Sequence, residues 1–140
     1  MNVDSIRNGI VIDHINAGLG MKLYDLLELG KLEYPVAMIT KVTSKKMGRK
    51  DIIKIDAVFD VNLDIIGYVD PGATVNIIRN GELIEKKQIE IPRKLINVIR
   101  CKNPRCITSC EQEIQHVFRL TDPESKEYRC VYCEAKAATL

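Results

Sequence analysis

Several features are absent from this chain, and each absence excludes a class of function. It has no tryptophan and only five tyrosines and two phenylalanines in 140 residues, so it lacks an aromatic platform on which nucleic-acid bases stack. Its formal net charge of +2 is too small to indicate a nucleic-acid partner on its own. The composition therefore predicts that nucleic acid is not among its partners.

Targeting and membrane signals are also missing. The start, MNVDSIRNGI, has neither the basic residues nor the long apolar run of a signal peptide. No apolar run reaches the length that a membrane-spanning helix needs. We therefore expect a cytoplasmic protein with no membrane partner.

Catalytic motifs are missing as well. The sequence contains no P-loop, nucleophile elbow, HExxH or GxGxxG string. The two histidines, His14 and His116, are far apart in the sequence, and no pair of carboxylates is distinguished by its spacing. This predicts a binding or regulatory module rather than an enzyme.

Four cysteines near the C-terminus are the most informative residues present. They form two pairs, in CKNPRC and CVYC: Cys101, Cys106, Cys130 and Cys133. A structural Zn²⁺ ion takes four soft ligands in a tetrahedron, and two short loops can each present two thiolates to it. With all four positions filled by the protein, such an ion would not activate water. We predict one structural zinc ion.

Other interpretations of the cysteines stay open at this point. The four could form two disulfides, although paired cysteines in an intracellular chain favour a metal. CVYC could also be a redox pair, although it lacks a βαβ setting. The fifth cysteine, Cys110, is interpreted as a small, partly buried residue in the loop after Cys106.

The texture of the sequence changes around residues 91–94. The chain before this point is free of cysteine and rich in long aliphatic segments, and the chain after it contains short strands and the cysteine loops. We predict two domains, residues 1–92 and 93–140, with Pro92 as a hinge. A domain as short as the second one rarely stabilises its own core. We therefore expect the metal to supply much of its folding free energy.

The first domain is predicted to be α+β. Apolar patterns indicate strands over residues 10–15, 36–42 and 52–58, with SKKMGRKD as a loop, and a leucine-rich helix that ends at Gly30. Residues 60–68 fit a short helix. Asn80–Gly81 predicts a type I′ turn between strands over residues 73–78 and 83–87. The order predicts an N-terminal antiparallel β-sheet with helices on one face (ferredoxin-like), followed by a small β-rich zinc-binding domain.

Polar side chains interrupt these aliphatic strands. They are Asp13, His14, Lys54 and Asn76, with Lys50 and Lys86 near the edges. If the strands are neighbours, these groups would converge and bind a phosphorylated small molecule, with the ammonium groups on the phosphates. The alternative is that they form the solvated face of half-exposed strands.

The strings GIVIDHI, MGRKDIIKI and ATVNII, followed by the two cysteine pairs, closely resemble the regulatory chain of aspartate carbamoyltransferase. The resemblance runs nearly from end to end. It implies a non-catalytic subunit with an N-terminal allosteric domain for CTP or ATP and a C-terminal zinc domain that docks on the catalytic chain. It also implies a homodimer through the N-terminal domain and a role in pyrimidine biosynthesis.

The resemblance further implies roles for particular residues. Ten positions match the family's nucleotide contacts: Ile6, Val11, Asp13, His14, Lys50, Lys54, Asn76, Ile78, Leu83 and Lys86. The lysines would neutralise phosphates, and the apolar members would line the base and ribose pocket. The four paired cysteines match the zinc ligands. One departure is Gly81, which stands where the family member used for the comparison has a tyrosine beside the base.

An alternative function is that of a zinc-ribbon nucleic-acid-binding protein. Its basic edge would consist of Lys45, Lys46, Arg49 and Lys50. The low net charge and the few aromatic residues count against it.

Overall fold

The aliphatic segments of the N-terminal part build one antiparallel sheet. A computed structural model describes residues 5–137. The strands of this sheet are β1 (Gly9–Asn16), β2 (Val36–Ser44), β3 (Gly48–Ile55), β4 (Thr74–Arg79) and β5 (Glu82–Gln88). Helix α1 (Gly20–Leu26) and a 3₁₀ turn (Leu29–Lys31) follow β1, and helix α2 (Leu63–Val69) precedes β4.

The strand order of the sheet is β2-β3-β1-β4-β5, and every neighbouring pair is antiparallel. The first four strands and the two helices follow the βαββαβ order of a ferredoxin-like fold. The predicted fold is therefore confirmed, with β5 added at one edge.

One face of this sheet carries the core of the first unit. Residues directly opposite one another on neighbouring strands share a face, and on this core face five aliphatic side chains are fully buried together with one from each helix. They are Ile10, Ile12, Ile53, Ile55 and Val75, with Leu23 of α1 and Ile66 of α2. The opposite face, which carries Val11, Lys54 and Asn76, is called the polar face below.

The boundaries of β3 differ from those predicted. The turn after β2 takes only residues 45–47, because Gly48 adopts a φ of 77° that permits a tight reversal. The strand then runs to Ile55 and not to Val58. Lys50, which the sequence placed in a loop, therefore lies within a strand.

The Asn80–Gly81 turn and the short helix α2 agree with the sequence. Asn80 and Gly81 have φ angles of 53° and 78°, as the predicted type I′ turn requires. Helix α2 begins after Asn62, whose side chain accepts hydrogen bonds from the N–H groups of Asp64 and Ile65 at 3.0 and 3.3 Å. This N-cap explains why a short helix forms there.

The second unit begins at Ile91 and contains a three-stranded antiparallel sheet. Its strands are β6 (Lys94–Ile96), β7 (Val117–Asp122) and β8 (Glu127–Cys130), in that order, with a short helix α3 (Ile107–Cys110) before β7. Leu95, Phe118 and Tyr128 form its apolar centre. The predicted small β-rich domain is thus confirmed. No helix in residues 5–137 is long and apolar enough to cross a membrane.

Candidate metal centre and ligand-binding face

The four paired cysteines meet in the second unit. Their sulfur atoms all lie within 4.8 Å of one another, with Cys101 Sγ 3.5 Å from Cys133 Sγ and Cys106 Sγ 3.7 Å from Cys130 Sγ. A tetrahedron with metal–sulfur bonds of about 2.3 Å has edges of about 3.8 Å. The donor set therefore fits one structural zinc ion.

The sulfur positions do not fit the alternatives. A disulfide needs sulfurs about 2.05 Å apart, and all four cysteines are free thiols. The contacts of 3.5 and 3.7 Å each join one cysteine of CKNPRC to one of CVYC. That crossed arrangement is typical of a four-ligand metal site and not of a CxxC redox pair.

The surroundings of the sulfurs favour a bound cation. The N–H of Ala135 points at Cys133 Sγ at 3.4 Å and lowers the pKa of that thiol to about 6. The Thr108 hydroxyl, 3.1 Å from Cys106 Sγ, lowers the pKa of Cys106. Burial raises the pKa of Cys101 to about 12, so a metal that binds here displaces a proton from that thiol.

Cys110 takes no part in this cluster. It ends α3 and is exposed, with its Sγ 3.8 Å from the carbonyl oxygen of Pro104. The interpretation of Cys110 as partly buried is wrong, because it lies on the solvent side of the helix end. It offers a matched control for the four clustered cysteines.

A row of five residues crosses the polar face of the first unit. Pairing of the strands places Ala37 opposite Lys54, Lys54 opposite Val11, Val11 opposite Asn76, and Asn76 opposite Lys86. Four of these five belong to the nucleotide set drawn from the sequence. Strand register therefore brings together residues that are 75 positions apart in the chain.

A bulge in β1 adds two more members of that set. Between Ile12 and Ile15, which both lie on the core face, β1 has one residue more than β3. Asp13 and His14 consequently both lie on the polar face, where His14 Nδ1 is 3.1 Å from Thr74 Oγ1. Simple alternation, which would place the two residues on opposite faces, fails at a bulge.

Lys50 meets Asp13 at this bulge. Lys50 Nζ lies 2.9 Å from Asp13 Oδ1, and the two side chains are 17% and 20% exposed. Burial acts to raise the pKa of Asp13, but the hydrogen bonds from Lys50 and the His14 N–H, together with the Lys50 charge, outweigh it. The net result is a pKa below the ordinary value, so Asp13 is ionised at neutral pH.

Asn76 presents an unsatisfied acceptor in the middle of the row. Its Oδ1 is buried and has no hydrogen-bond partner among the described residues. A buried amide oxygen without a donor is unfavourable. This atom is therefore suited to a donor that a ligand would supply.

The four apolar members of the set fall into two groups. Val11 and Ile6 are buried. Gly9 leaves room for Ile6, since a Cβ on Gly9 would lie 2.7 Å from Ile6 Cδ1. Ile78 and Leu83 face each other across β4 and β5, and Leu83 is 57% exposed.

Two buried carboxylates escaped the sequence analysis. Asp51 is 1% exposed and accepts three backbone N–H groups, and Asp70 is 2% exposed and accepts the N–H of Asn16 at 2.7 Å. The available signal was an acidic residue at a core-facing position, since Asp51 has the same parity as Ile53 and Ile55 in β3. Through these hydrogen bonds, both carboxylates fix the position of the backbone at the end of β1 and just after it.

Comparison with known proteins identifies the family of this chain. The model of the aspartate carbamoyltransferase regulatory chain, allosteric domain, matches residues 1–90, and the model of the metal binding domain of the same chain matches residues 93–139. Neither description is that of a nucleic-acid-binding protein.

Named relatives agree with both models over nearly the whole chain. The aspartate carbamoyltransferase regulatory chain of Clostridium acetobutylicum is 49% identical over 134 residues, which cover 96% of this chain and 92% of the relative. That of Clostridium tetani is 50% identical, covering 96% and 94%, and that of Bifidobacterium longum is 44% identical, covering 98% and 99%. This chain belongs to the family of aspartate carbamoyltransferase regulatory chains, with an allosteric domain and a metal binding domain.

Proposed function

We propose that this chain senses CTP or ATP on the polar face of its first unit and transmits the binding to catalytic chains that hold its zinc unit. It carries out no chemistry itself and controls an enzyme of pyrimidine biosynthesis. The observation that carries the proposal is the convergence on one face of Asp13, His14, Lys50, Lys54, Asn76 and Lys86. The family membership supports it.

The charges on the polar face suit a nucleotide's phosphates. Lys50, Lys54 and Lys86 contribute three positive charges and Asp13 one negative charge, which leaves an excess of two positive charges with His14 neutral. Ammonium groups bind phosphate through charge-assisted hydrogen bonds. The Lys50–Asp13 pair implies that a phosphate competes with a carboxylate for Lys50.

The rest of the set suits the nucleoside. The unsatisfied Oδ1 of Asn76 can accept a hydrogen bond from a ribose hydroxyl or a base amino group. Ile6, Val11, Ile78 and Leu83 offer apolar contact for the flat base. Gly81 provides no side chain to flank that base.

Regulation then follows from linkage. A nucleotide shifts the equilibrium between two states of the complex only if it binds them with different affinities. Coupling free energies of about 1–3 kcal/mol are typical of such systems. The two units supply the two ends of that linkage, the nucleotide face and the zinc unit.

Adjacent lysines on β5 provide a sharp test of the nucleotide face. Lys86 pairs with Asn76 on the polar face, whereas Lys87 pairs with Val75 on the core face. Calorimetric titration of CTP and ATP should show weaker binding for Lys86→Ala and unchanged binding for Lys87→Ala. Equal effects of the two substitutions would mean that only net charge matters and would remove the assigned site.

Docking of the zinc unit is the second part of the proposal. Exposed apolar residues near the cysteine loops, Ile107, Val131 and Tyr132, support a protein partner for this unit. Cys130→Ser should abolish co-purification with the catalytic chain of aspartate carbamoyltransferase, and Cys110→Ser should preserve it. Loss with both variants, or with neither, would contradict a metal-dependent docking surface.

Self-association through the first unit belongs to the same proposal. Its sheet ends in β2 and β5, and each of these edge strands has one strand neighbour in the described chain. Light scattering of the purified chain should give the mass of a dimer. A cytoplasmic location is also proposed, because a reducing compartment keeps the cysteines available to a metal.

A further inference from the structure

Asp51 is the most unexpected polar residue of the first unit. Its side chain is 1% exposed and lies on the core face of β3, directly after Lys50. The proposed nucleotide contacts do not include it. A buried carboxylate is costly unless its oxygens are hydrogen-bonded, so its partners indicate what it holds in place.

The Asp51 carboxylate connects three segments of the chain. Its Oδ1 accepts the N–H of Lys41 in β2 at 3.0 Å. Its Oδ2 accepts the N–H groups of Gly18 and Gly20, both at 3.0 Å, in the segment that leads from β1 into α1. One carboxylate therefore joins β3, which carries it, to β2 and to the segment that follows β1.

Both strands beside β3 are irregular at that level. One extra residue enters β1 between Ile12 and Ile15, and another enters β2 between Ile39 and Val42. Each bulge contains a non-glycine residue with a φ of 57°, His14 in β1 and Lys41 in β2. Such angles persist only where surrounding bonds enforce them. The N–H of Lys41 is one of the three groups that Asp51 accepts.

We infer that Asp51 is a positioning residue of the polar face, which holds the two bulged strands so that Asp13, His14 and Lys50 come together. The contact that depends on it is the 2.9 Å ion pair between Lys50 and Asp13. Its relevance to ligands rests on the proposed function. The geometry itself does not depend on any ligand.

The chemistry of the site requires a carboxylate and a close approach. Asparagine has one acceptor oxygen, and its NH₂ group would face an N–H donor where Asp51 now accepts. Gly20 is needed as well, because a Cβ there would lie 2.8 Å from Asp51 Oδ2 and 3.2 Å from Met38 Sδ. Gly20→Ala should therefore displace the carboxylate while keeping every hydrogen-bonding group.

Two variants and two matched controls test the inference in the full, zinc-loaded chain. The variants are Asp51→Asn and the milder Gly20→Ala. Asp122→Asn removes a carboxylate in the second unit that accepts the backbone N–H of Glu124, and Gly30→Ala adds a methyl group near the Tyr24 side chain. Carbon-13 NMR of the Asp13 carboxyl group reports its pKa, and calorimetry reports the CTP dissociation constant.

Both variants should raise the pKa of Asp13 towards its ordinary value, and neither control should do so. Loss of the charge-assisted bonds should weaken CTP binding roughly tenfold in Asp51→Asn. A purely structural role would lower the melting temperature and leave the Asp13 pKa in place, and that result would overturn the inference. If Asp51→Asn does not fold, an unchanged Asp13 pKa in Gly20→Ala overturns it equally.

The same data separate this inference from the proposed function. A raised Asp13 pKa in a chain whose unsubstituted form binds neither CTP nor ATP would support the role of Asp51 and reject nucleotide sensing. Binding of CTP that is unaffected by Asp51→Asn would retain the function and reject the role of Asp51.

Discussion

The two units of this chain are stabilised in different ways. The first has a sheet with one largely aliphatic face, on which Ile10, Ile12, Ile53 and Ile55 are completely buried beneath two helices. The second has three short strands and a small apolar centre around Phe118 and Tyr128. It also contains four cysteine sulfurs within 4.8 Å of one another, and three of these cysteines are buried.

The two units therefore differ in what stabilises them and in the function proposed for each. The first unit can hold polar and strained groups on its other face because its core face is sufficient for stability. The second unit is smaller, and we expect its folding to depend on a metal. The proposed sensing and docking roles therefore fall to units that we expect to be stabilised in different ways.

Metal removal should have the largest effect and should act on one unit only. Chelation of zinc is expected to unfold the second unit, because structural zinc contributes on the order of 10 kcal/mol in small domains. Two-dimensional amide NMR should show loss of dispersed signals from residues 91–137 while the signals of the first unit persist. Dispersed signals from both units after complete chelation would contradict a metal-dependent second unit.

A cavity in the aliphatic core should affect the other unit. Ile53→Ala is expected to lower the free energy of unfolding of the first unit by about 2–5 kcal/mol, since Ile53 is completely buried. Urea unfolding followed by unit-specific amide signals, together with zinc analysis, checks this result and the retention of the metal. Ile84→Ala, at a position 54% exposed, should change little. Zinc loss in Ile53→Ala would show that the units are not independent.

A single hydrogen bond should matter in the second unit. The Tyr128 hydroxyl donates to the carbonyl oxygen of Pro92 at 2.6 Å in a buried position. Tyr128→Phe leaves that carbonyl without this donor and should cost about 1–3 kcal/mol. Thermal unfolding of the zinc-loaded chain measures the loss, and Tyr132→Phe, at a site 50% exposed, should leave the melting temperature unchanged. An unchanged melting temperature in Tyr128→Phe would mean that this hydrogen bond does not contribute to the stability of the second unit.

Acid should produce the smallest effect, confined to the first unit. The pKa of Asp13 is lower in the folded chain than its ordinary value, so its stabilising contribution is complete above the unfolded value of about 3.9. That contribution is lost as the pH falls further, through the folded pKa. Unfolding of the first unit should therefore be less pH-dependent below about pH 4 in Asp13→Asn than in the unsubstituted chain. The exposed Asp60→Asn is the control, and parallel pH profiles for all three chains would refute the assignment.

Much of the fold followed from local sequence. Alternating aliphatic residues located β1, and the dipeptide Asn80–Gly81 defined a type I′ turn, because both signals act between residues that are near in the chain. The cysteine pairs predicted a metal in the same way, since each loop brings its own two thiolates together. These features need no knowledge of distant contacts.

The register and the bulges did not follow from the sequence. Simple alternation would place Asp13 and His14 on opposite faces, and the extra residue in β1 puts them on the same one. The sequence predicted a loop at Lys50, which instead lies in β3 and contacts Asp13. Asp51 gave only the signal of a charge at a core-facing position, because its three partners come from two other segments.

The sequence by itself determined which residues can bind a metal or a phosphate, and which segments form strands and turns. Only the tertiary structure decided that Asn76 keeps an unsatisfied oxygen between Val11 and Lys86, and that the Asp51 carboxylate joins β3 to β2 and to the segment after β1. The physical reason is that hydrogen-bond partners across a sheet are fixed by strand register. Register results from the packing of the whole core face and not from any single segment.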